Sequence, residues 1–236
     1  MMIKYGLLTL FGLAAGYLLL GAVTTVICRM TNPLRKKCRT GKTICLTFDD
    51  GMDPRYTPKL LDLLAEHQIH ASFFILASTA QKYPEILNRM YREEHTVGLH
   101  SLNHHNQILE LPHRLCRDFR ESVKIFADSG RKPAFYRPPW GHVTPLGIWL
   151  CRHHHLKMVL WTVIIGDWEE NTSVENLCRK LRTQVRGSAV ICLQDGRGKN
   201  EAPLRTIRTL EQMIPRWKEE GYTFETISEF LEENPA

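Results

Sequence analysis

From about residue 43 to residue 226 the chain alternates between short apolar, β-rich runs and longer amphipathic stretches. The runs at 43–48, 72–76, 96–99, 134–136, 157–163, 189–193 and 222–226 predict strands. The intervening spacing predicts helices over 58–67, 80–93, 111–128, 145–154, 174–185 and 203–219. Leu60, Leu61, Leu63 and Leu64, for example, share one side of the first of these. Several helices carry proline near their start, where the missing N–H costs least. Ser173 is placed to cap 174–185. Strands alternating with helices predict parallel βαβ units, either an open doubly wound sheet or a barrel.

The polar residues help to choose between the two. Asp49 and Asp50 follow the first run, His100 the third, Arg137 the fourth, Asp167 the fifth, and Gln194 and Asp195 the sixth. Polar residues past the carboxyl ends of five strands suit the shared face of a parallel barrel. A switch-point crevice is lined mainly by neighbouring strands. The expected fold is an α/β protein: a distorted parallel (β/α) barrel of about seven strands, preceded by a transmembrane helix.

That helix comes from a different pattern. Residues 5–28 contain no charged side chain, which exceeds the roughly 20 apolar residues that cross a bilayer core. A signal-peptide core is shorter, about 7–15 residues, and needs small residues for cleavage; Ala22-Val23-Thr24 is a poor site. The expected organisation is a membrane anchor at 1–30, a linker at 31–41 and a barrel domain at 42–236, with a cleaved signal as the alternative. Arg29, Arg35, Lys36, Lys37 and Arg39 follow the span, and by the positive-inside rule this favours a cytoplasmic domain. A role on wall polymer would instead require the extracytoplasmic side.

Composition alters this picture little. The 236 residues suit one domain plus a short segment. The formal charge is +6, but Lys and Arg are interleaved with Asp and Glu, as on a solvated surface, and no nucleic-acid partner is expected. Seven cysteines cannot all pair within one chain and contain no C-x-x-C motif. That agrees with a reducing compartment.

Candidate chemistry lies in three strings. In Thr47-Phe48-Asp49-Asp50-Gly51 two adjacent carboxylates follow an apolar strand, which is costly unless they are paired or bind metal. In His100-Ser101-Leu102-Asn103-His104 two histidines at i and i+4 share a face if a helical turn begins there. With Asp50 they offer two nitrogens and one oxygen, leaving coordination positions open as in catalytic zinc sites. In Arg137-Pro138-Pro139-Trp140-Gly141 the arginine is placed to pair with a carboxylate, and Trp140 to wall a cleft.

These strings resemble the polysaccharide deacetylase family, the NodB-homology carbohydrate esterases. The matching segments are TFDDG at 47–51, HSLNH at 100–104 and RPPWG at 137–141, with weaker GDW at 166–168 and ICLQD at 191–195. The resemblance implies metal-assisted removal of an N-acyl group, usually acetyl, from an amino sugar. It implies Asp49 as general base, Arg137 as its orienting partner, and Asp50, His100 and His104 as metal ligands. It further implies the Trp140 N–H as oxyanion donor, and Trp168 and Leu193 as walls of the acyl pocket. The metal expected is Zn2+, with Co2+, Ni2+ or Mn2+ as alternatives.

The sequence departs from the family at the proton donor. The family's last motif ends in His-Asp, with histidine as general acid; this chain has Gln194-Asp195. Where the family has an aspartate orienting that histidine, this chain has Ile164. Glutamine donates no proton usefully near pH 7, and an unreplaced acid costs roughly 10²–10⁴-fold in rate. His105, His142 or Asp49 itself are the candidate replacements. The leading expectation is a deacylase acting on a cell-wall or lipid-linked amino-sugar glycan. The alternative is a catalytically weak or silent membrane-anchored glycan-binding protein.

Overall fold

A computed structural model describes residues 2–232, with the side chains of residue 5 and of 11–232. Met1 and the last four residues of the expected barrel domain lie outside the described residues. Eight strands form one sheet: β1 Thr43–Asp49, β2 Ser72–Ile75, β3 Thr96–Leu99, β4 Phe135–Tyr136, β5 Lys157–Met158, β6 Val163–Ile164, β7 Ala189–Gln194 and β8 Thr223–Phe224. Their order is β5-β4-β3-β2-β1-β7-β6, and every pairing is parallel. Strand β8 pairs with the first two residues of β1. The expected α/β architecture is therefore present as a curled, incompletely closed barrel.

The sheet edges show what the apolar pattern left undecided. The run 157–163 reads as one strand, but it forms two. Strand β5 pairs with β4 at one edge, and β6 with β7 at the other. Only residues 159–162 join them, a span of roughly 17 Å at most. The curl of the sheet is thus fixed by one short crossing that leaves a seam. Helix prediction failed at one similar point. The expected helix 80–93 is two, Ala77–Lys82 and Pro84–Arg92, because Pro84 forces Tyr83 out of helical geometry (φ −128°, ψ 61°). Ser173 caps Val174–Gln184 as expected, accepting from the Asn176 N–H at 3.2 Å.

Alternation along the strands separates two cores. Ile44, Leu46 and Phe48 of β1, with Ile191 and Leu193 of β7, face outward against the helices. Cys45 and Val190 face inward, where with Phe74, Phe135 and Val159 they plug the barrel. Both faces of β1 and β7 are buried, so these strands are apolar almost throughout, as in parallel sheets covered on both sides. Above the plug, the inward positions turn polar: Thr47 and Asp49 on β1, Cys192 and Gln194 on β7.

The N-terminal helix spans Met2–Met30. Its mean hydropathy reaches 1.9 over an 18-residue window, enough for a membrane anchor or a signal sequence. The segment 31–41, expected as a linker, contains a short helix, Leu34–Lys37, with Leu34 and Cys38 buried in the inner core.

Candidate metal centre and its cleft

At the carboxyl end of β1, Asp49 is 3% exposed and Arg137 is wholly buried. The Arg137 Nη1 donates to Asp49 Oδ1 and to Thr47 Oγ1, both at 2.7 Å. Its Nε and Nη2 donate to the carbonyls of Val159 and Leu160 at 3.2 and 3.3 Å. Those carbonyls belong to the seam between β5 and β6, so the arginine ties the open edge to the base of the site. Its guanidinium also lies 4.0 Å over the Phe74 ring. The other oxygen of Asp49 accepts from the Cys192 thiol at 3.2 Å.

Asp50, His100 and His104 converge beside this pair. Their nearest ligand atoms all lie within 4.8 Å of one another. The Asp50 Oδ1 is 3.4 Å from His100 Nε2 and 3.0 Å from His104 Nε2. His100 Nδ1 faces the Arg137 carbonyl at 2.7 Å. A carbonyl only accepts, so Nδ1 carries the proton and Nε2 turns its lone pair toward Asp50. Asp50 Oδ1 has no hydrogen-bond partner among the described residues. Buried acceptors facing one another are unfavourable unless a cation sits between them. This donor set therefore fits a divalent metal.

The histidines do not meet on a helix face. His100 ends β3 and His104 lies in an irregular loop. Ser101 (φ 73°) and His104 (φ 61°) are in the left-handed region, as are Asp50 (φ 70°) and Trp140 (φ 54°). Such residues cost about 1–3 kcal/mol each and cluster at functional sites. The loop is held from behind: both oxygens of the buried Asp118 accept from the Leu102 N–H at 3.1 Å, and Ser101 Oγ accepts from the His104 N–H. Asp118 is a supporting residue that the sequence reading missed. Its one signal was a carboxylate on the apolar stripe of helix Pro112–Asp128.

A cleft of about 650 Å³ opens over these groups. Trp140, Trp168 and Gln194 line it, as expected; Ile164 does too. Leu193 does not. It is 1% exposed and packs in the outer core, because strand alternation turns it away while Cys192 and Gln194 face the cleft. That alternation could have placed Cys192 there from sequence. Trp161 also lines the cleft. A Cβ on Gly141 (φ 61°) would come within 2.7 Å of its ring, so glycine is required there for both conformation and contact. Neither His105 nor His142 lines the cleft.

The position beside the base, Gln194, which pairs with Asp49 across β1 and β7, has a different character. The Gln194 Oε1 is buried without a hydrogen-bond partner. Asp167, wholly buried, accepts from the Gln194 backbone N–H and the Thr206 hydroxyl, both at 2.8 Å. Burial pushes its carboxyl up to about 7. Asp195 is likewise pushed up to about 7 by burial, and accepts from Thr57 Oγ1 at 2.6 Å.

Residues 36–159 match the polysaccharide deacetylase family. A peptidoglycan-N-acetylglucosamine deacetylase of Bacillus cereus is 31% identical over 192 residues, covering 80% of this chain and 88% of that one. The chain belongs to the polysaccharide deacetylase family. Solved deacetylase structures agree. The Bc1960 peptidoglycan N-acetylglucosamine deacetylase, bound to an N-oxidanyl-benzamide, superposes with a TM-score of 0.74 at 27% identity, over 80% of this chain and 88% of that one. A family 4 acetyl xylan esterase from Clostridium thermocellum, in complex with a cobalt ion, superposes at 0.72 and 27% identity, over 80% and 90%.

Proposed function

We infer that the chain is a metal-dependent carbohydrate deacylase that removes N-acyl groups, acetyl first among them, from an amino-sugar glycan. The observation that carries this reading is the convergence of Asp50, His100 and His104 beside an Asp49 oriented by Arg137. The deacetylase relatives support an N-acetylglucosamine-containing substrate, either wall polymer or a lipid-linked sugar. The apolar helix supports attachment to a membrane.

Asp50, His100 and His104 are the residues to hold a divalent ion, Zn2+ before Co2+, Ni2+ or Mn2+, given two imidazoles and a carboxylate. When bound, it supplies Lewis-acid activation of the acyl carbonyl and of water. Asp49 takes the proton of the attacking water at Oδ2, displacing the Cys192 thiol, while Arg137 fixes Oδ1. The Trp140 N–H stabilises the oxyanion as it develops. Trp168 and Trp140 flank the acyl group.

The departing amine needs a proton. Among the described residues lining the cleft, Asp49 is the one carboxyl or imidazole outside the metal set. It therefore returns the proton it took, serving as both base and acid. A second reading has a specific observation in its favour: Gln194 and Ile164 stand where the family's acid and its orienting carboxylate belong. On that reading the protein binds glycan and turns it over weakly or not at all.

Acetate release from N-acetylated glycan oligomers and lipid-linked amino sugars by the zinc-loaded full chain separates the two. The deacylase reading expects metal-dependent release that Asp49→Asn abolishes and His104→Ala loses together with bound zinc. Glycan affinity without turnover on any substrate would leave the silent reading standing.

A further inference from the structure

The N-terminal helix does more than tether the barrel, because it docks along the rim of the cleft. Its inward stripe is Tyr17, Gly21, Thr25 and Arg29, four residues apart. Tyr17 donates to the Glu110 carbonyl at 2.9 Å. Gly21 lies against Ile108. Thr25 exchanges two bonds with the Val143 backbone at 2.8 and 3.0 Å. Arg29 donates to the Trp140 carbonyl at 2.6 Å. The other faces expose Leu19, Leu20, Val23, Val26 and Ile27.

This docking limits how a bilayer can sit. The stretch apolar and long enough to cross the roughly 30 Å hydrocarbon core, Phe11–Lys37, contains the docked residues Tyr17, Gly21, Thr25 and Arg29. A membrane crossed by this helix must also take in the docked stretch and the rim beside it. Leu109 and Leu111 in that rim are 71% and 53% exposed, as a surface facing lipid would be. The cleft lies at the far end of the docked stretch, where Arg29, Asn32 and Arg35 line it as the chain leaves the helix, and Arg197 lines it from the segment after β7. None of these three arginines pairs with a carboxylate among the described residues. Arg137 is buried and paired with Asp49; these three are exposed and without a carboxylate partner among the described residues.

We propose that the cleft takes an amino sugar joined through phosphate to a membrane lipid, with Arg29, Arg35 and Arg197 holding the phosphate and the lipid chain running beside the docked helix. An uncharged glycan offers these cations only neutral hydroxyl and carbonyl acceptors, whereas a phosphate makes stronger charge-assisted, bidentate bonds with arginine. The proposal deepens the deacylase reading by naming its substrate class, but the binding it claims is measured apart from turnover.

The test uses the full chain in detergent micelles and the intrinsic fluorescence of Trp140, Trp161 and Trp168 in the cleft. Asp49→Asn protein is titrated with a polyprenyl diphosphate bearing N-acetylglucosamine, with soluble N-acetylglucosamine 1-phosphate and with a phosphate-free N-acetylglucosamine oligomer. The lipid-linked probe should bind about tenfold or more tighter than the other two, and Arg35→Glu with Arg197→Glu should reduce that preference by about tenfold or more. Equal affinity for phosphate-bearing and phosphate-free probes, or a preference the double variant does not touch, overturns the proposal. Equal affinity for the soluble sugar phosphate and the lipid-linked probe overturns the lipid part. Both arginines are exposed, and an unchanged melting temperature excludes misfolding. Tight, arginine-dependent binding without acetate release by the wild type would sink the deacylase reading while upholding this one.

Discussion

On the Asp49 wall of the cleft, both carboxylate oxygens are engaged, and the buried Arg137 behind them makes four hydrogen bonds. On the Gln194 wall, the side-chain oxygen is buried with no partner, next to the apolar Ile164 and above a carboxyl raised to about 7. Both walls come from strand ends of the same sheet. The difference lies in how completely each polar group is satisfied. A fully bonded network fixes one geometry, while an unsatisfied amide oxygen leaves its side chain less constrained. The contrast separates a base held in one geometry from a neighbouring position whose amide oxygen is unsatisfied among the described residues.

The largest expected effect is on the base. Asp49→Asn should lower kcat for acetate release by about 10²–10⁴-fold, since no other cleft group outside the metal set accepts the proton. A smaller loss would show that the base wall is not the working wall. Next comes the cation behind it. Arg137→Leu leaves Asp49 buried and unpaired, and should cost about 3–5 kcal/mol in urea unfolding of the full chain in detergent. A change under about 1 kcal/mol would mean the pair is not the keystone of that wall.

The acid wall offers the sharper contrast. Gln194→His with Ile164→Asp should raise kcat by about 10- to 100-fold and add a limb near the ordinary histidine pKa of about 6.5 to the pH profile. No gain would mean Asp49 already supplies the proton without loss. The last effect, spread over several pH units, is on stability. Asp167 holds a proton in the folded state up to about 7 that the unfolded chain releases near 3.8. Its contribution is therefore full below about pH 4 and is lost as pH rises toward 7. Asp167→Asn should flatten that decline by up to about 1.4 kcal/mol per pH unit within the window, read from urea unfolding at several pH values. An unchanged slope would place the proton elsewhere.

Much of the site was legible because its chemistry is carried by short strings. Asp49 and Asp50 had to follow a buried strand, and Arg137 had to lie near them, or three charges would be stranded. His100 and His104 converge with Asp50, but by a geometry other than the expected one. Four-residue spacing suggests a helical turn, whereas a loop with left-handed Ser101 and His104, pinned by Asp118, brings them together. Leu193 was placed in the acyl pocket by resemblance, although the alternation of its own strand turns it into the outer core.

The sequence by itself determined the order of strands and helices, the parallel barrel-like class, and the residues that could hold a metal. Periodicity and motif spacing are local, and each reports what a segment needs buried or bound. Only the tertiary structure decided which segments meet those needs. It split 157–163 between opposite edges of the sheet, laid the Tyr17-to-Arg29 stripe on the cleft rim, and set Gln194 beside Asp49 with its amide oxygen unpartnered among the described residues. Each of these depends on contacts between residues far apart in the chain, whose burial and pairing no local pattern records.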